Sequence, residues 1–229
     1  MNILILGSGG REHAFTWKLR QSSKCEKIFV APGNAGTADI AVNVNISMDD
    51  FEALGKFCIE NSIQLVLVGP EIPLIKGFAD YFKNKAELQS IAVIGPEKAG
   101  AILEGSKDFS KTFMHRNNIP TASSQSFTKG TFDQGVEYLR QHSLPIVLKA
   151  DGPAAGKGVI ISESHDDAIK TLDDMLNHNQ FGEASSKVVV EQFLRGIELS
   201  VFVITDGESY KILSWPQFHI LSKHRVRVF

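Results

Sequence analysis

The spacing of hydrophobic positions changes along the chain, and its first part alternates between two patterns. Short runs rich in Ile, Leu and Val alternate with stretches whose apolar residues recur at helical spacing, as at Phe51, Leu54 and Phe57. The runs of strand length are Ile3–Leu6, Lys27–Val30, Leu65–Val68 and Ile91–Ile94. Strand-length runs between helical patterns are typical of βα units. The sequence therefore predicts α/β structure here, with a doubly wound parallel sheet.

A different pattern begins after Gly95. The segment Pro96–Asn117 has helical spacing with a break near Gly105. Near the other end of the chain, Asp206-Gly207 is a two-residue hairpin signal between apolar runs. Strands are predicted at Ser124–Phe127, Pro145–Ala150, Val159–Ser162 and Lys187–Gln192, and helices at Thr131–His142 and Asp166–His178. This order predicts an α+β unit whose sheet is covered on one side.

Composition narrows the possible functions. Hydrophobic residues make up 43% and charged residues 22% of the 229 positions, which is typical of globular proteins. The formal net charge of −2 predicts no general attraction to nucleic acid or to an anionic membrane, and no apolar run reaches the length of a membrane span. The only cysteines, Cys25 and Cys58, exclude a disulfide framework and a CxxC metal site. We expect a cytoplasmic protein.

The strongest chemical signal is a glycine-rich loop between two apolar runs. It contains Gly152, Gly156, Lys157 and Gly158, and Lys149 ends the run before it. Glycine lets backbone N–H groups approach a phosphate, and lysine adds positive charge. A Walker A loop is excluded because Gly158, not Ser or Thr, follows Lys157. Since a buried lysine needs an anionic partner, the pattern favours a bound nucleotide triphosphate over an ordinary hairpin.

Another glycine-rich turn follows the first predicted strand. The sequence Gly7–His13 has the strand, glycines and helix start of a dinucleotide site, but Glu12 occupies the position that needs glycine. NAD is therefore disfavoured. The helix N-terminus with Arg11 remains suited to a phosphate, and a tight turn that binds nothing is the alternative.

Loops after further predicted strands point to the same edge of the sheet. Asn34 and Glu71 lie in such loops, and with Arg11 they predict a small-molecule site, although ordinary turns use the same residues. Glu191 and Glu198 indicate a strand that lines a nucleotide or, alternatively, one with surface acids. Because no GxSxG, HExxH or Cys/His motif occurs, covalent catalysis has no support and the catalytic residues are unknown.

Together, in this order, the motifs resemble the ATP-grasp enzymes and, more narrowly, the phosphoribosylamine–glycine ligase (glycinamide ribonucleotide synthetase) family. The matching segments are Gly7–Ala14, Ala31–Thr37, Val68–Glu71, Leu103–Lys107, Lys149–Gly152, Ala154–Val159 and Val190–Leu194. The resemblance implies a pre-ATP-grasp Rossmann-like substrate domain over residues 1–105. It further implies an ATP-grasp linker and lid over 106–194, the start of an incomplete ATP-grasp core over 195–213, and a divergent tail over 214–229.

The resemblance also implies a reaction in purine biosynthesis. ATP would phosphorylate glycine, and 5-phosphoribosylamine would attack the glycyl phosphate to give glycinamide ribonucleotide, with Mg²⁺ or Mn²⁺ present. The implied partners are these small molecules, without nucleic acid or membrane. The implied ATP-binding residues are Lys107, Lys149, Gly152, Gly156, Lys157, Gly158, Glu191, Phe193, Leu194 and Glu198. The implied phosphoribosylamine-binding residues are Gly9, Gly10, Arg11, Glu12, Asn34, Gly69, Pro70 and Glu71.

The chain departs from the family pattern in two places. Pro153 replaces a leucine and removes an N–H group from the loop. The family also continues beyond Leu213 for about as long again, with its metal ligands there, so no metal ligand is assigned. We expect a truncated or frameshifted form without ligase turnover. A non-catalytic ATP- or phosphoribosyl-binding fragment and another ATP-grasp carboxylate–amine ligase are the alternatives.

Overall fold

The protein divides into two compact units, Met1–Pro120 and Thr121–Phe229. The structure is a computed structural model that describes residues 1–154, 156–197, 199–212 and 217–218. Each unit has its own sheet and its own hydrophobic core.

The sheet of the first unit is parallel throughout. Its strands are β1 (Asn2–Gly7), β2 (Lys27–Pro32), β3 (Val42–Asn43), β4 (Ile63–Val68) and β5 (Ala92–Ile94). They lie in the order β3-β2-β1-β4-β5, so that β1 is flanked by β2 and β4. Leu4 and Leu6 belong to one core cluster, whereas Ile3 and Ile5 belong to another. Burial on both faces explains the continuous apolar runs and confirms the predicted doubly wound sheet.

Seven helices connect and follow these strands. They are α1 (Gly10–Leu19), α2 (Ala35–Ala38), α3 (Phe51–Glu60), α4 (Glu71–Ile75), α5 (Phe78–Asn84), α6 (Lys98–Gly105) and α7 (Lys107–Arg116). The predicted break near Gly105 is confirmed. It occurs because Ser106 caps α7, its Oγ accepting the Phe109 N–H at 3.1 Å.

The second unit contains an antiparallel sheet with two helices. Its elements are β6 (Ser124–Thr128), α8 (Phe132–Gln141), β7 (Ile146–Ala150), β8 (Val159–Ser162), α9 (His165–Leu176) and β9 (Lys187–Gln192). The strand order is β6-β9-β7-β8. Leu148 and Val190 pack in one core with Leu139 of α8 and Leu172 of α9. Alternate residues of β7 and β9 consequently face the other side of the sheet, as predicted for helices on one side only.

Four short strands follow in the part of the chain that the structure describes. They are β10 (Leu199–Ser200), β11 (Val203–Thr205), β12 (Tyr210–Ile212) and β13 (Gln217–Phe218). The predicted hairpin is confirmed, since β11 pairs with β12 around Asp206-Gly207. Its turn is held by Asp206 Oδ1, which accepts the N–H groups of Glu208 and Ser209, and these bonds lower the pKa of Asp206.

The predicted divergent tail contributes one of these strands. Residues 217–218 pair with β10, an edge contact that the hydrophobic pattern alone did not identify. The other positions of the tail lie outside the described residues. Among the described helices, none is both long enough and apolar enough to cross a bilayer.

Candidate functional site

Three loops of the first unit lie at one edge of its sheet. They follow β1, β2 and β4, which are neighbouring parallel strands, so their carboxyl ends point the same way. The Gly33 N–H donates to Gly7 O at 3.1 Å, and the Gly69 N–H donates to Leu6 O at 3.0 Å. The structure therefore brings together the loops that contain the predicted phosphoribosylamine-binding residues.

Glu12 lies at the centre of this group of loops and is only 4% exposed. Its Oε2 accepts the Gly9 N–H at 2.7 Å, and its Oε1 accepts the Arg11 Nε–H at 3.1 Å. The same carboxylate thus caps helix α1 and pairs with a cation. Both contacts lie within the protein, and Glu12 has little surface to offer a ligand.

Two glycines make room for the Glu12 side chain. A Cβ at Gly7 would lie 2.5 Å from Glu12 Cγ, and a Cβ at Gly69 would lie 2.2 Å from Glu12 Oε1. Real Cβ atoms do not approach that closely, and Gly7 also has a φ of +132°. The carboxylate consequently fills the space between the β1 and β4 loops.

Asn34 connects the β2 loop to the β1 loop. Its Nδ2 donates to the carbonyls of Ser8 at 3.0 Å and Gly9 at 3.2 Å, while its Oδ1 accepts the Thr37 N–H at 3.0 Å. Asn43 Nδ2 donates to the Asn34 carbonyl at 2.7 Å. Asn34 is thus a brace between loops. Thr37 and Asn43 were missed by sequence reasoning, although the Asn34–Thr37 spacing is that of a capping box.

The accessible groups at this edge are those of the first helical turn and its neighbours. Gly9 and Gly10 are exposed, and the Arg11 side chain is 57% exposed. Pro70 and Glu71 begin α4 and are half-buried. An exposed guanidinium beside a helix N-terminus is suited to a phosphate group.

A buried ion pair lies on the face of the second unit's sheet that is opposite helices α8 and α9. In the antiparallel register of β7 and β9, Lys149 lies opposite Val189, and Val147 lies opposite Glu191. Lys149 and Glu191 are therefore diagonal neighbours on one face. Lys149 Nζ donates to Glu191 Oε2 at 2.9 Å, and the two side chains are 5% and 7% exposed. The anionic partner that the sequence required for Lys149 is thus present within the chain.

The glycine loop connects β7 to β8 and is described except at position 155. Several of its N–H groups are used internally: Asp151 donates to Lys187 O at 3.0 Å, Gly152 to Ala184 O at 3.3 Å, and Lys157 to Ala154 O at 2.9 Å. Gly156 has a φ of +76°, which suits glycine. The Lys157 side chain is exposed. The loop is a folded turn that presents a lysine.

Gly158 is packed more tightly than its neighbours in the loop. A Cβ at Gly158 would lie 2.7 Å from Ala154 Cβ and 3.2 Å from Ala150 Cβ. Glycine at this position lets the end of the loop lie against the end of β7.

The remaining predicted ATP-binding residues belong to both units. Lys107 is the first residue of α7 in the first unit, whereas Phe193 and Leu194 follow β9 in the second. Leu194 is 63% exposed. Glu198 lies outside the described residues.

One cluster of possible metal ligands occurs among the residues that the structure describes. Asp173, Asp174 and His178 lie on and just after α9, with ligand atoms within 4.8 Å of one another. None of them is a predicted ATP-binding residue. The His178 ring contacts Asp173 at 3.2 Å, which is an ordinary surface interaction.

Two family models match consecutive parts of this chain. The phosphoribosylglycinamide synthetase N domain matches residues 1–104, and the ATP-grasp (A) domain of the same synthetase matches residues 105–222. The chain belongs to the phosphoribosylglycinamide synthetase family. This membership confirms the resemblance seen in the motifs and separates the chain from the other ATP-grasp ligases that the sequence left open.

Relatives and solved structures agree with the family. The chain is 49% identical to the phosphoribosylamine–glycine ligase of Haemophilus influenzae over 221 residues, and 47% identical to that of Halalkalibacterium halodurans over 219 residues. Each alignment covers 96% of this chain and 50% of the relative. The chain therefore spans about half the length of these curated relatives.

Structural similarity gives the same result. The phosphoribosylamine–glycine ligase of Thermotoga maritima superposes with a TM-score of 0.72 at 30% identity, covering 93% of this chain and 49% of that one. An ADP complex of N5-carboxyaminoimidazole ribonucleotide synthetase gives a TM-score of 0.64 at 20% identity, over 92% of this chain and 52% of that one. The second likeness is one of fold alone.

Proposed function

We propose that this chain carries the phosphoribosylamine-binding and ATP-binding parts of a cytoplasmic phosphoribosylamine–glycine ligase. In that reaction ATP activates glycine as glycyl phosphate, and the amine of 5-phosphoribosylamine displaces the phosphate. Under this proposal residues 1–105 bind the phosphoribosylamine, 106–194 form the linker and lid over ATP, 195–213 begin the ATP-grasp core, and 214–229 are a divergent tail.

The observation that carries the ATP part is the Lys149–Glu191 pair. It is buried on the sheet face opposite the helices, and Lys149 lies in the strand that leads into the glycine loop. Burying two charges is unfavourable for folding alone, which favours a functional reason for the pair. A structure of the same fold was solved as an ADP complex, which supports nucleotide binding here.

The lysines of this region would hold the phosphates by charge. At ~4 Å and an effective dielectric of ~20, one lysine–phosphate pair contributes about 4 kcal/mol before desolvation. Lys157 is exposed on the loop and Lys149 is buried below its start, so they would contact a triphosphate from different depths. Gly156 and Gly158 would allow the loop to lie close to the nucleotide.

Magnesium would neutralise the transferred phosphate in a ligase of this kind. The described residues do not fit such a site, because their one cluster of metal-capable side chains is the Asp173–His178 group. We therefore assign no magnesium ligand to this chain and derive no step through the metal.

The ATP proposal is tested by calorimetric titration of the 229-residue chain with ATP. Replacing Lys157 by Gln removes an exposed charge from the loop, and we expect about tenfold weaker binding. Lys170→Gln is the matched control, since it removes an exposed lysine from α9. Equal affinity of wild type and Lys157→Gln would contradict the proposed role of the loop.

A non-catalytic binding module is the second candidate. It is favoured because the one metal-capable cluster in the described part of the chain contains none of the predicted ATP-binding residues. An assay for glycinamide ribonucleotide with the 229-residue chain tests this second candidate. Measurable turnover would overturn the non-catalytic module, whereas ATP binding without turnover is expected both of the module and of a chain that carries only the binding parts of a ligase.

A further inference from the structure

We propose that Glu12 is a positioning residue that joins two of the loops at the sheet edge and orients Arg11 toward the anionic group of a sugar phosphate. The inference rests on the proposed phosphoribosylamine site. It changes the role of Glu12 from a ligand contact to a residue that acts through Arg11.

The Glu12 carboxylate is buried between two loops. The side chain lies where a Cβ at Gly7 or at Gly69 would collide with it, so it packs against both loops at once. Its Oε2 accepts the N–H of Gly9 at 2.7 Å. A carboxylate with 4% exposure that is held in this way fixes the spacing of the β1 and β4 loops.

The Arg11 guanidinium is held at one of its nitrogens. Its Nε–H donates to Glu12 Oε1 at 3.1 Å, which uses one of the five donors of the guanidinium. The four donors on the terminal nitrogens make no hydrogen bond to the residues described here. A guanidinium held by a buried carboxylate loses less conformational entropy when it binds, and its remaining fork matches a phosphate.

Glu12 and Arg11 differ strongly in their exposure to solvent. The Glu12 side chain is 5% exposed, whereas that of Arg11 is 57% exposed. The carboxylate therefore lies behind the guanidinium and not beside it at the surface. A ligand at this edge would meet the cation first, which favours an anionic sugar phosphate over a neutral sugar.

Glutamate is the side chain that this position requires. Aspartate is shorter by one methylene, so its carboxylate would lie farther from the space beside Gly69 that the Glu12 carboxylate fills. Glutamine has the same shape but no charge, and only one of its two terminal atoms accepts a hydrogen bond. The Gly9 N–H and the Arg11 Nε–H both need an acceptor, so glutamine would lose one of the two contacts.

Ribose 5-phosphate is a suitable probe, with the 229-residue chain and its variants titrated by calorimetry. We expect Glu12→Gln to weaken binding about tenfold and Arg11→Ala to weaken it at least as much. In the Arg11→Ala background, Glu12→Gln should cause no further loss, because Glu12 acts through Arg11. Glu26→Gln is the control, since it removes an exposed carboxylate from the same unit.

A second measurement needs no ligand. In ¹H–¹⁵N spectra the Arg11 Nε–H of the wild type should give a signal protected from exchange, and this protection should disappear in Glu12→Gln. A purely structural role of Glu12 predicts a change in the unfolding midpoint without either effect. If Glu12→Gln does not fold, Gly69→Ala tests the same contact by displacing the intact carboxylate.

The outcomes separate the two levels of the proposal. Unchanged affinity and an unchanged Nε signal in Glu12→Gln would overturn the positioning role while leaving the site in place. Ribose 5-phosphate that binds neither wild type nor Arg11→Ala would overturn the proposed substrate site. The Nε signal would then still decide whether Glu12 holds Arg11.

Discussion

Lys149 Nζ lies 2.9 Å from Glu191 Oε2 across two adjacent strands, and both side chains are almost fully buried. The Glu191 carboxylate provides the lysine with a partner in the interior, where an unpaired ammonium would be strongly unfavourable. In the protein without nucleotide, Glu191 therefore supplies the negative charge that Lys149 needs. A phosphate that binds Lys149 must either share the ammonium with Glu191 or displace Glu191 from it.

The first prediction concerns the stability of this pair. Lys149→Met removes the ammonium that donates to Glu191 at 2.9 Å, and removing one member of a buried pair costs about 3–5 kcal/mol. The measurement is the free energy of unfolding from urea denaturation at pH 7. A loss below about 1 kcal/mol would show that the pair is far better solvated than its burial indicates.

The matched variant replaces both members of the pair. Lys149→Met with Glu191→Leu removes both charges of the pair, and we expect the double variant to regain most of the stability lost in the single variant. ATP affinity should stay low in both, because the double change restores packing but not the lysine. Recovery of ATP binding together with stability would contradict a direct role for Lys149.

Much of the fold could be predicted because the apolar runs are nearly uninterrupted. Strand β1 at the centre of the parallel sheet is buried on both faces, so Ile3–Leu6 has no polar position that could suggest another structure. The turn at Asp206-Gly207 was predictable for a local reason, since Gly207 adopts a φ of +94°. The pairing of β13 with β10 was not predictable, because two-residue strands carry too little pattern.

The candidate site was predictable in its loops but not in its contacts. Parallel topology alone brings the loops with Arg11, Asn34 and Glu71 to one edge. Which polar side chains turn inward depends on tertiary packing, however. Glu12 and Asn34 resemble ligand-binding residues in the sequence, yet Glu12 bonds to Gly9 and Arg11 of its own turn, and Asn34 bonds to the β1 loop. The sequence gives no sign that Asn43 contributes.

The second prediction concerns Gly135 in helix α8. Glycine to alanine normally stabilises a helix by about 0.5–1 kcal/mol. At Gly135 a Cβ would lie 2.7 Å from Leu172 Cδ2 and 3.2 Å from Phe127 Cγ, both in the core. Overpacking of this kind costs about 1–3 kcal/mol, so we expect Gly135→Ala to lower the free energy of unfolding.

Gly130→Ala provides the comparison for this prediction. The nearest atom to a Cβ at Gly130 is Thr128 Oγ1 at 3.9 Å, an ordinary contact. Its free energy of unfolding should stay within about 0.5 kcal/mol of the wild type. Equal effects of the two changes would argue against close packing of α8 on the sheet.

The third prediction concerns the pH dependence of stability. Burial raises the pKa of the Cys58 thiol from 9.0 to about 12. Above pH 9 the unfolded chain loses this proton while the folded chain keeps it. The thiol's contribution to the free energy of unfolding is therefore fully present below pH 9 and declines as the pH rises toward 12. Between pH 8 and pH 10.5 this amounts to about 2 kcal/mol.

Cys58→Ala isolates this contribution because other titrating groups remain. We expect the wild type to lose about 2 kcal/mol more than Cys58→Ala between the two pH values, measured by urea denaturation. Below pH 9 the difference between the proteins should be constant. A thiol that reacts rapidly with maleimide in the folded protein at pH 8 would contradict this burial.

The fourth prediction concerns Asn34 as the brace between the β1 and β2 loops. Asn34→Ala removes the donor to the Ser8 and Gly9 carbonyls and the acceptor that caps the Thr37 N–H. Loss of an N-cap and its cross-loop bonds costs about 1–2 kcal/mol in the free energy of unfolding. The measurement is urea denaturation at pH 7.

Asn34→Asp distinguishes the two functions of this side chain. Aspartate keeps the oxygen that accepts the Thr37 N–H, but it replaces the amide donor by a charged acceptor that faces two carbonyl oxygens. If the brace matters more than the cap, Asn34→Asp should be at least as destabilising as Asn34→Ala at pH 7. Acidification should partly relieve this loss, because a protonated carboxyl can donate to one of the carbonyls. Wild-type stability in Asn34→Asp at pH 7 would show instead that the cap alone fixes the β2 loop.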